Sequence, residues 1–481
     1  MLRIIRFSVW FMAGLASLSV CWLVIGNWRP LGHIPRFGHD VGTVAVTNIS
    51  LIDVVSGQAV ERTTVVIEEG VITAIGRSGK VAVPANARIL DGSGKFLIPG
   101  LWDSHIHTLR HSPRVHFPLL IANGVTSIRN LGDGCSWSGS PDCVPDRIEW
   151  SAEGVNAARI APFSVVAASF HFEEGMEAPQ AIELVGSLMA RGDTLVKLQF
   201  GDDVDESVVQ AVLGESQRLG IPVAMHLPAA SELLDPAYAS LTSVEHGGGL
   251  LDQCEVLVRS AGQSSVVPRC AALLAALAER RTAFVPTFVA STGQDASLGK
   301  DRDLENERRA MVPDAIAALW TAYRFAHLSG MDSEDTGRAQ ARHEMAMDLA
   351  VLAYRAGVPV LVGTDSLDPF VVHGASVHDE LEQFVEAGFT TAEALRAATQ
   401  APADFHGPRG LRGRVVVGAK ADLVMLAANP LERISATRQI EAVFKDGIYF
   451  DAEEIGRLEA YARQQSRSHA LNARLWLALL W

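Results

Sequence analysis

The sequence predicts an α/β chain organised as a (β/α)8 TIM barrel, with a small antiparallel module contributed by both of the barrel's flanks. Eight short apolar runs, near 97–107, 125–131, 160–169, 194–200, 221–227, 243–248, 283–290 and 358–365, alternate with helical stretches such as DESVVQAVLGESQRLG and HEMAMDLAVLAYRAG. Eight strand–helix repeats in one direction close into a barrel. Six side chains, His105, His107, Lys197, His226, His246 and Asp365, stand at the ends of these runs, in GLWDSHIHT, TLVKLQF, IPVAMHL, SVEHGG and VLVGTDS. The carboxyl ends of barrel strands are where such folds keep their functional residues.

The elements follow in order. MLRIIR and then FSVWFMAGLASLSVCWLVIG give a basic start and an apolar run of about 20 residues, long enough to span a bilayer at about 1.5 Å per residue. No A-x-A cleavage site follows, so an uncleaved signal anchor over 1–28 is favoured over a cleaved signal peptide. The apolar run continues past Cys21, which disfavours lipid attachment there. Arg3 and Arg6 precede the span and Arg29 and Arg36 follow it, so charge does not set its orientation. The chain is expected to be exported, membrane-anchored and facing the periplasm or extracellular side, or secreted if the segment is cut.

A polar linker, 29–42, leads to 43–96, where TVAVTNISLID, TTVVIEEGVITAIG and ARILDGSG alternate β-branched residues with turn residues. The pattern returns over 408–455 in GRVVVGAKADLVMLAAN and IEAVFKDGIYF, so the two ends are expected to build one module around a barrel spanning 97–407. Within the barrel, the charged stretch from Ser291 to Arg342 is longer than a loop needs and is either a lid over the mouth or a solvated helical decoration. The tail, 456–481, ends in RLWLALLW, which could pack on the barrel, pair with another copy in a homo-oligomer or touch membrane. Cys135 with Cys143 and Cys254 with Cys270 form two local pairs, which in an exported protein favours disulfides over free thiols.

Composition narrows the function classes. With 48% hydrophobic and 20% charged residues over 481 positions the chain is globular. A formal net charge of -14 without a basic cluster argues against a nucleic-acid surface.

The chemistry starts at His105 and His107. Residues two apart on a strand project to one side and can grip one ion together. Alone, such a pair is an ordinary surface feature. Four further candidate ligands at the ends of strands four, five, six and eight, in chain order, point to a metal site, because imidazoles and carboxylates are what zinc-like ions bind.

The motifs FLIPGLWDSHIH, GVTSIRNLG, TLVKLQF, AMHLPAA, SVEHGG, VPTF, LVGTDS, HDELEQFVEAGFTTAEALRAAT, GRVVVGAKADLVML and NPL are specific. Through them the chain resembles the amidohydrolase superfamily over about 43–455, and within it the branch of imidazolonepropionase-like proteins and Xaa-Pro dipeptidases (prolidases). The resemblance implies that the flanking segments form a composite β-sandwich and that the site is binuclear, holding two divalent ions, zinc first. By the same resemblance, His105 and His107 would hold the more buried ion with Asp365, His226 and His246 the other, and Lys197 would bridge both as a CO2-derived carbamate. An ammonium with the usual pKa of about 10.4 would repel two divalent ions, so an inward lysine must lose its charge or turn away. Its alternative is an ion pair with Asp202 or Asp203.

Two cations sharing a water would lower its pKa from about 15.7 toward about 7 and yield a bridging hydroxide. Asp365 would then carry the proton to the leaving group. This implies hydrolysis of an amide-like C–N bond in a small molecule, with dipeptides or N-acyl amino acids as candidates. Lactone, carbamate or organophosphate ester hydrolysis would use the same parts. A deaminase is disfavoured because Glu232 lies too far past His226. A catalytically inactive, membrane-tethered binding protein is disfavoured by the complete ligand set.

Two departures from the family pattern touch the pocket edge. Asn130 stands where relatives place an acid after the strand-two arginine, and LQFGDD replaces a small loop at Lys197. Near the predicted mouth, His171, Arg129, Thr287, His373 and His378 are each either a substrate contact or a supporting residue. Arg129 also suits a buried ion pair under the site.

Overall fold

The computed structural model describes residues 21–40, 42–132, 154–172, 175–189, 194–200, 204–228, 232–254, 257–260, 263–265, 268–295, 302–328, 333–407 and 411–480. Residues 1–20 of the expected anchor, the Cys135–Cys143 pair, and Asp202 and Asp203 lie outside them. Among the described residues no helix is long and apolar enough to cross a membrane.

Strands β1 (His39–Asp40), β2 (Thr43–Asp53), β3 (Gln58–Glu68), β4 (Val71–Arg77), β5 (Arg88–Asp91) and β6 (Phe96–Pro99) open the chain. The barrel follows with β7 (Leu101–His107), β8 (Val125–Gly132), β9 (Phe163–Phe172), β10 (Leu195–Phe200), β11 (Val223–His226) and β12 (Leu241–Glu245). A side hairpin, β13 (Leu257–Ser260) and β14 (Gln263–Ser265), precedes β15 (Ala283–Val285); β16 (Leu423–Leu426), β17 (Ile440–Lys445) and β18 (Ile448–Asp451) close the series.

The two ends share one nine-stranded sheet, in the order β1-β18-β17-β16-β6-β2-β3-β4 with β5 on β2. It wraps a core in which Val44, Ile49 and Val65 from the first flank pack with Leu423 and Phe444 from the second. Its hairpins turn where the backbone can be left-handed: Glu69–Gly70 (φ 49° and 73°) and Asp446–Gly447 (φ 47° and 77°) are two-residue turns with both φ positive, the geometry that matches strand twist. This is the sandwich that both flanks were expected to build.

Strands β7 to β12 and β15 form a parallel seven-stranded sheet in sequential order. The expected eighth strand is too short for a ladder, yet it closes the barrel. Leu361 N donates to Phe284 O on one side, and Ser104 N donates to Val362 O and Asp365 N to His105 O on the other. Gly363 permits that closure, since a Cβ there would sit 2.8 Å from the His105 backbone nitrogen.

Three expected strands end differently. The run 97–107 divides at Gly100, where a Cβ would lie 2.1 Å from Thr126 Oγ1; Phe96–Pro99 joins the sandwich sheet and Leu101–His107 the barrel. The run 243–248 stops at Glu245 because His246 turns left-handed, with φ 63°. The run 283–290 stops at Val285: Thr287 turns left-handed and the Glu380 carboxylate accepts the N–H groups of Phe288 and Val289, starting helix Phe288–Asp295.

The long stretch after the seventh strand is helical, with helices Arg302–Met311, Asp314–Leu328 and Ser333–Arg355. The apolar tail helix His469–Leu480 packs on the molecule itself, with Leu471 and Leu475 against Ile316 and Trp320. Residues 27–38 are strapped down by side-chain donors: Arg474 bonds the carbonyls of Asn27 and Arg29, Arg114 those of Leu31 and Gly32, and Arg159 those of Phe37 and Gly38. Cys254 and Cys270 form the expected disulfide.

Candidate active site

Strand ends deliver five of the six leading candidates to one centre. Asp365 Oδ1 lies 2.9 Å from His107 Nε2 and 3.4 Å from His105 Nε2, and its Oδ2 lies 3.5 Å from His246 Nδ1. His105, His246 and Asp365 each offer a ligand atom, all within 4.8 Å of one another. The His226 ring, exposed at the end of β11, stands 4.9 Å from that of His246. Burial lowers the His105 imidazole to about 4 and holds His246 well below the ordinary value. Both are therefore neutral at pH 7, the form that binds metal.

The sixth candidate, Lys197, is fully buried on β10, and its Nζ has no hydrogen-bond partner among the described residues. Burial lowers its amine to about 8 against the opposing pull of Glu245 and Asp365.

Behind these residues lies a buried network that was not singled out in the sequence, apart from Arg129. His105 Nδ1 lies 2.8 Å from Glu245 Oε2; a carboxylate only accepts, so Nδ1 carries the proton and Nε2 is left as the ligand-ready nitrogen. Arg129 Nη2 donates to both Glu245 oxygens at 2.8 Å, its Nη1 to Ser243 Oγ at 2.8 Å and its Nε to Ser104 O at 2.6 Å. Burial alone would raise the Glu245 carboxyl, but Arg129 and the His105 bond hold it well below the ordinary range. The signal was present in SVEHGG: a carboxylate inside a strand buried on both faces needs a partner, and Arg129 is the only arginine in the barrel strands.

Asp103 is a second unanticipated support. It accepts Thr364 Oγ1 at 2.6 Å, Thr364 N at 2.9 Å and His105 N at 3.2 Å, and burial pushes its carboxyl up to about 7. It thereby ties His105 to the residue before Asp365. His246, Thr287 and Asp365 all have left-handed backbones, with φ of 63°, 49° and 59°. Such conformations cost about 1–3 kcal/mol each and persist where surrounding structure over-determines them.

The remaining candidates separate. Arg129 is the buried ion-pair residue, not a substrate contact. Thr287 lines the cavity, and its Oγ1 shares a hydrogen bond with His246 Nδ1 at 2.9 Å. His373 sits behind the site: its Nε2 donates to His107 O at 2.9 Å and its ring stacks on His116 at 3.9 Å. His378 is not at the mouth; it is buried on helix Ala375–Ala387, where its Nδ1 bonds Thr437 Oγ1 at 3.0 Å. The backbone of His171 lies on β9, and its side chain is outside the described atoms. Asn130 is structural: its Oδ1 accepts from Thr108 N and Gly132 N while its Nδ2 donates to Thr108 Oγ1. An acid could not supply that donor.

A cavity of about 590 Å³ opens on the centre, lined by His107, His226, His246 and Asp365 and walled by apolar residues including Leu251, Pro286 and Leu367. The last inserted helix, Ser333–Arg355, adds Ala339, Arg342, His343 and Ala346 to its rim.

A sequence profile described as the amidohydrolase family matches residues 199–449. An uncharacterised protein of Mycobacterium tuberculosis is 27% identical over 378 residues, covering 74% of this chain and 85% of its own. Among solved structures, bottromycin amidohydrolase superposes with a TM-score of 0.63 at 24% identity, covering 94% of each chain. A Xaa-Pro dipeptidase with bound methionine in its active site superposes with a TM-score of 0.59 at 18% identity, covering 85% of this chain and all of the other.

Proposed function

The chain belongs to the amidohydrolase family, and on that premise we propose that it is a metal-dependent hydrolase of an amide-like C–N bond in a small molecule, with dipeptides and N-acyl amino acids as first substrates. One observation carries the reading: a carboxylate within 3.5 Å of three imidazoles, at a 590 Å³ cavity with a buried lysine amine that has no hydrogen-bond partner among the described residues. The similarity to an amidohydrolase and to a Xaa-Pro dipeptidase makes an amide the first bond to test.

The donor set fits two divalent ions, zinc first. Among the described residues His105 Nε2 is buried without a hydrogen-bond partner, and the Glu245 bond keeps it unprotonated. His105, His107 and Asp365 would hold one ion, and His226 and His246 the other. Lys197, near neutrality through burial, can add CO2 and release a proton, giving an anionic carbamate that would bridge both. Bound ions of this kind acidify water and polarise a carbonyl.

The chain's own groups do the rest. Asp365, facing the cavity and fixed by its backbone bond to His105 O, accepts the proton of the attacking water. It then delivers that proton to the departing nitrogen, so the product leaves as a neutral amine. His373 and Asp103 keep His107 and Asp365 in register, and the apolar walls limit competing water. We further propose that the apolar segment ahead of residue 29 exports and tethers the enzyme; recovery of the whole chain in the cytosolic fraction would count against that.

Metal analysis tests the centre: close to two ions per chain are expected, with activity lost on chelation and regained on zinc addition. Asp365→Asn should lower kcat far more than it raises KM. Full turnover by the stripped protein would sink the mechanism.

A further inference from the structure

Resting on the hydrolase reading, we infer that Arg342 is a specificity-determining residue: its guanidinium receives the carboxylate of an N-acyl amino acid or dipeptide whose amide lies at Asp365.

The placement starts from helical period. Ala339, Arg342, His343 and Ala346 fall at i, i+3, i+4 and i+7 of helix Ser333–Arg355 and all line the cavity, so one face of the helix looks into it. Arg342 is the only lysine or arginine among the lining residues described.

The guanidinium is aimed, not loose. Nη2 donates to Asp252 Oδ1 at 2.8 Å and to Gly248 O at 3.2 Å. Both bonds leave from one nitrogen, so among the described residues Nη1 and Nε keep donors for a ligand, and a carboxylate is the group that fits an arginine fork. His343 does not compete for that role: its Nδ1 is taken by Ser291 Oγ at 3.0 Å and its Nε2 by Gln383 Oε1 at 3.1 Å.

Placement narrows the class. Gly248, whose carbonyl Arg342 holds, is two residues beyond His246, at most about 7.6 Å of Cα path. The cation therefore shares a cavity wall with the residues that follow His246, and Asp365 lines the same cavity, which suits a ligand that carries a carboxylate beside its scissile amide. Leu251, Pro286, Ala290 and Leu367 then offer apolar wall to the acyl group. Asp368 also lines the cavity, and its carboxylate offers the opposite preference, so the sign of the ligand charge is decisive.

The test is calorimetric binding of N-benzoyl-L-leucine, its carboxamide and its cationic 2-aminoethylamide to the zinc-loaded full chain, with product release followed separately. Wild type should bind the acid about tenfold or more tighter than the carboxamide. Arg342→Gln should collapse that ratio to within about twofold, and Arg342→Lys should restore part of it; thermal melting confirms that each variant is folded. An unchanged ratio in Arg342→Gln, no measurable binding of the acid, or tighter binding of the carboxamide or the cation by wild type would each overturn the inference. If the acid binds with Arg342-dependent preference but none of the three is cleaved, Arg342 stands and the hydrolase reading falls. If cleavage occurs with no dependence on Arg342, the reverse holds.

Discussion

Arg129 and Glu245 are at most 1% exposed and joined by two 2.8 Å hydrogen bonds from one guanidinium nitrogen. Arg129→Met leaves the Glu245 carboxylate buried with only Ser243 and His105 as partners, and Glu245→Leu leaves a buried guanidinium opposite a methyl group. Removing one member of such a pair costs about 3–5 kcal/mol, whereas replacing both by apolar residues is often near neutral. The double variant should therefore be at least about 2 kcal/mol more stable than the sum of the single losses predicts. Urea midpoints measured with chelator present throughout isolate this coupling from metal binding. Glu245 has a depressed folded pKa, so its contribution is present above the ordinary carboxylate value and is lost as pH falls through the folded one; pH 7 is the condition to use. A second readout separates position from stability. Glu245→Leu removes the acceptor that sets the His105 tautomer, so metal affinity should fall about 10- to 100-fold. Single variants that each lose under about 1 kcal/mol, or losses that simply add, would refute the view that the pair is a coupled buried unit supporting the site.

Three other outcomes are expected. Burial raises the Glu380 carboxyl to about 8, above its ordinary 4.5, so its stabilising contribution is complete below about 4.5 and lost as pH rises through about 8. Wild type should lose stability from pH 5 to 8.5 and Glu380→Gln should flatten that slope; equal slopes would contradict the assignment. The Cys254–Cys270 bond closes a loop of sequence separation 16, so Cys254→Ala/Cys270→Ala should cost about 3 kcal/mol in denaturant and reduce the destabilisation that reductant causes in wild type. Lys197→Ala should lose at least one ion per chain by elemental analysis, with partial recovery in acetate or formate; full metal retention with no response to either would exclude the carbamate.

Much of the barrel was legible because parallel strands buried on both faces are short apolar runs, and a polar residue at the end of each is conspicuous. The histidines, Lys197 and Asp365 stood out for that reason. What the period of a strand does not contain is where the strand stops. His246 and Thr287 leave the strand by turning left-handed, and Glu380, 93 residues beyond Thr287 in the sequence, starts the helix that replaces the expected end of strand seven. Those are decisions of long-range contacts. The same holds for His373 and His378, which share one stretch of sequence but not one environment. His373 reaches the His107 carbonyl, while His378 is held by Thr437, part of the short 3-10 turn Ile434–Arg438.

The charge inside the barrel gives the metal reading its physical force. Its seven strands contain four charged residues, Asp103, Arg129, Lys197 and Glu245, and each is buried. Burial of charge is costly unless paired and hydrogen-bonded. Arg129 and Glu245 meet that condition through each other. Asp103 meets it by accepting three donors and by titrating near neutrality. Lys197 does not: it is within the field of Glu245 and Asp365, yet its amine bonds to nothing among the described residues. With its amine lowered to about 8 by burial, Lys197 is a group able to change its charge state near neutral pH, which is what the proposed carbamate bridge requires.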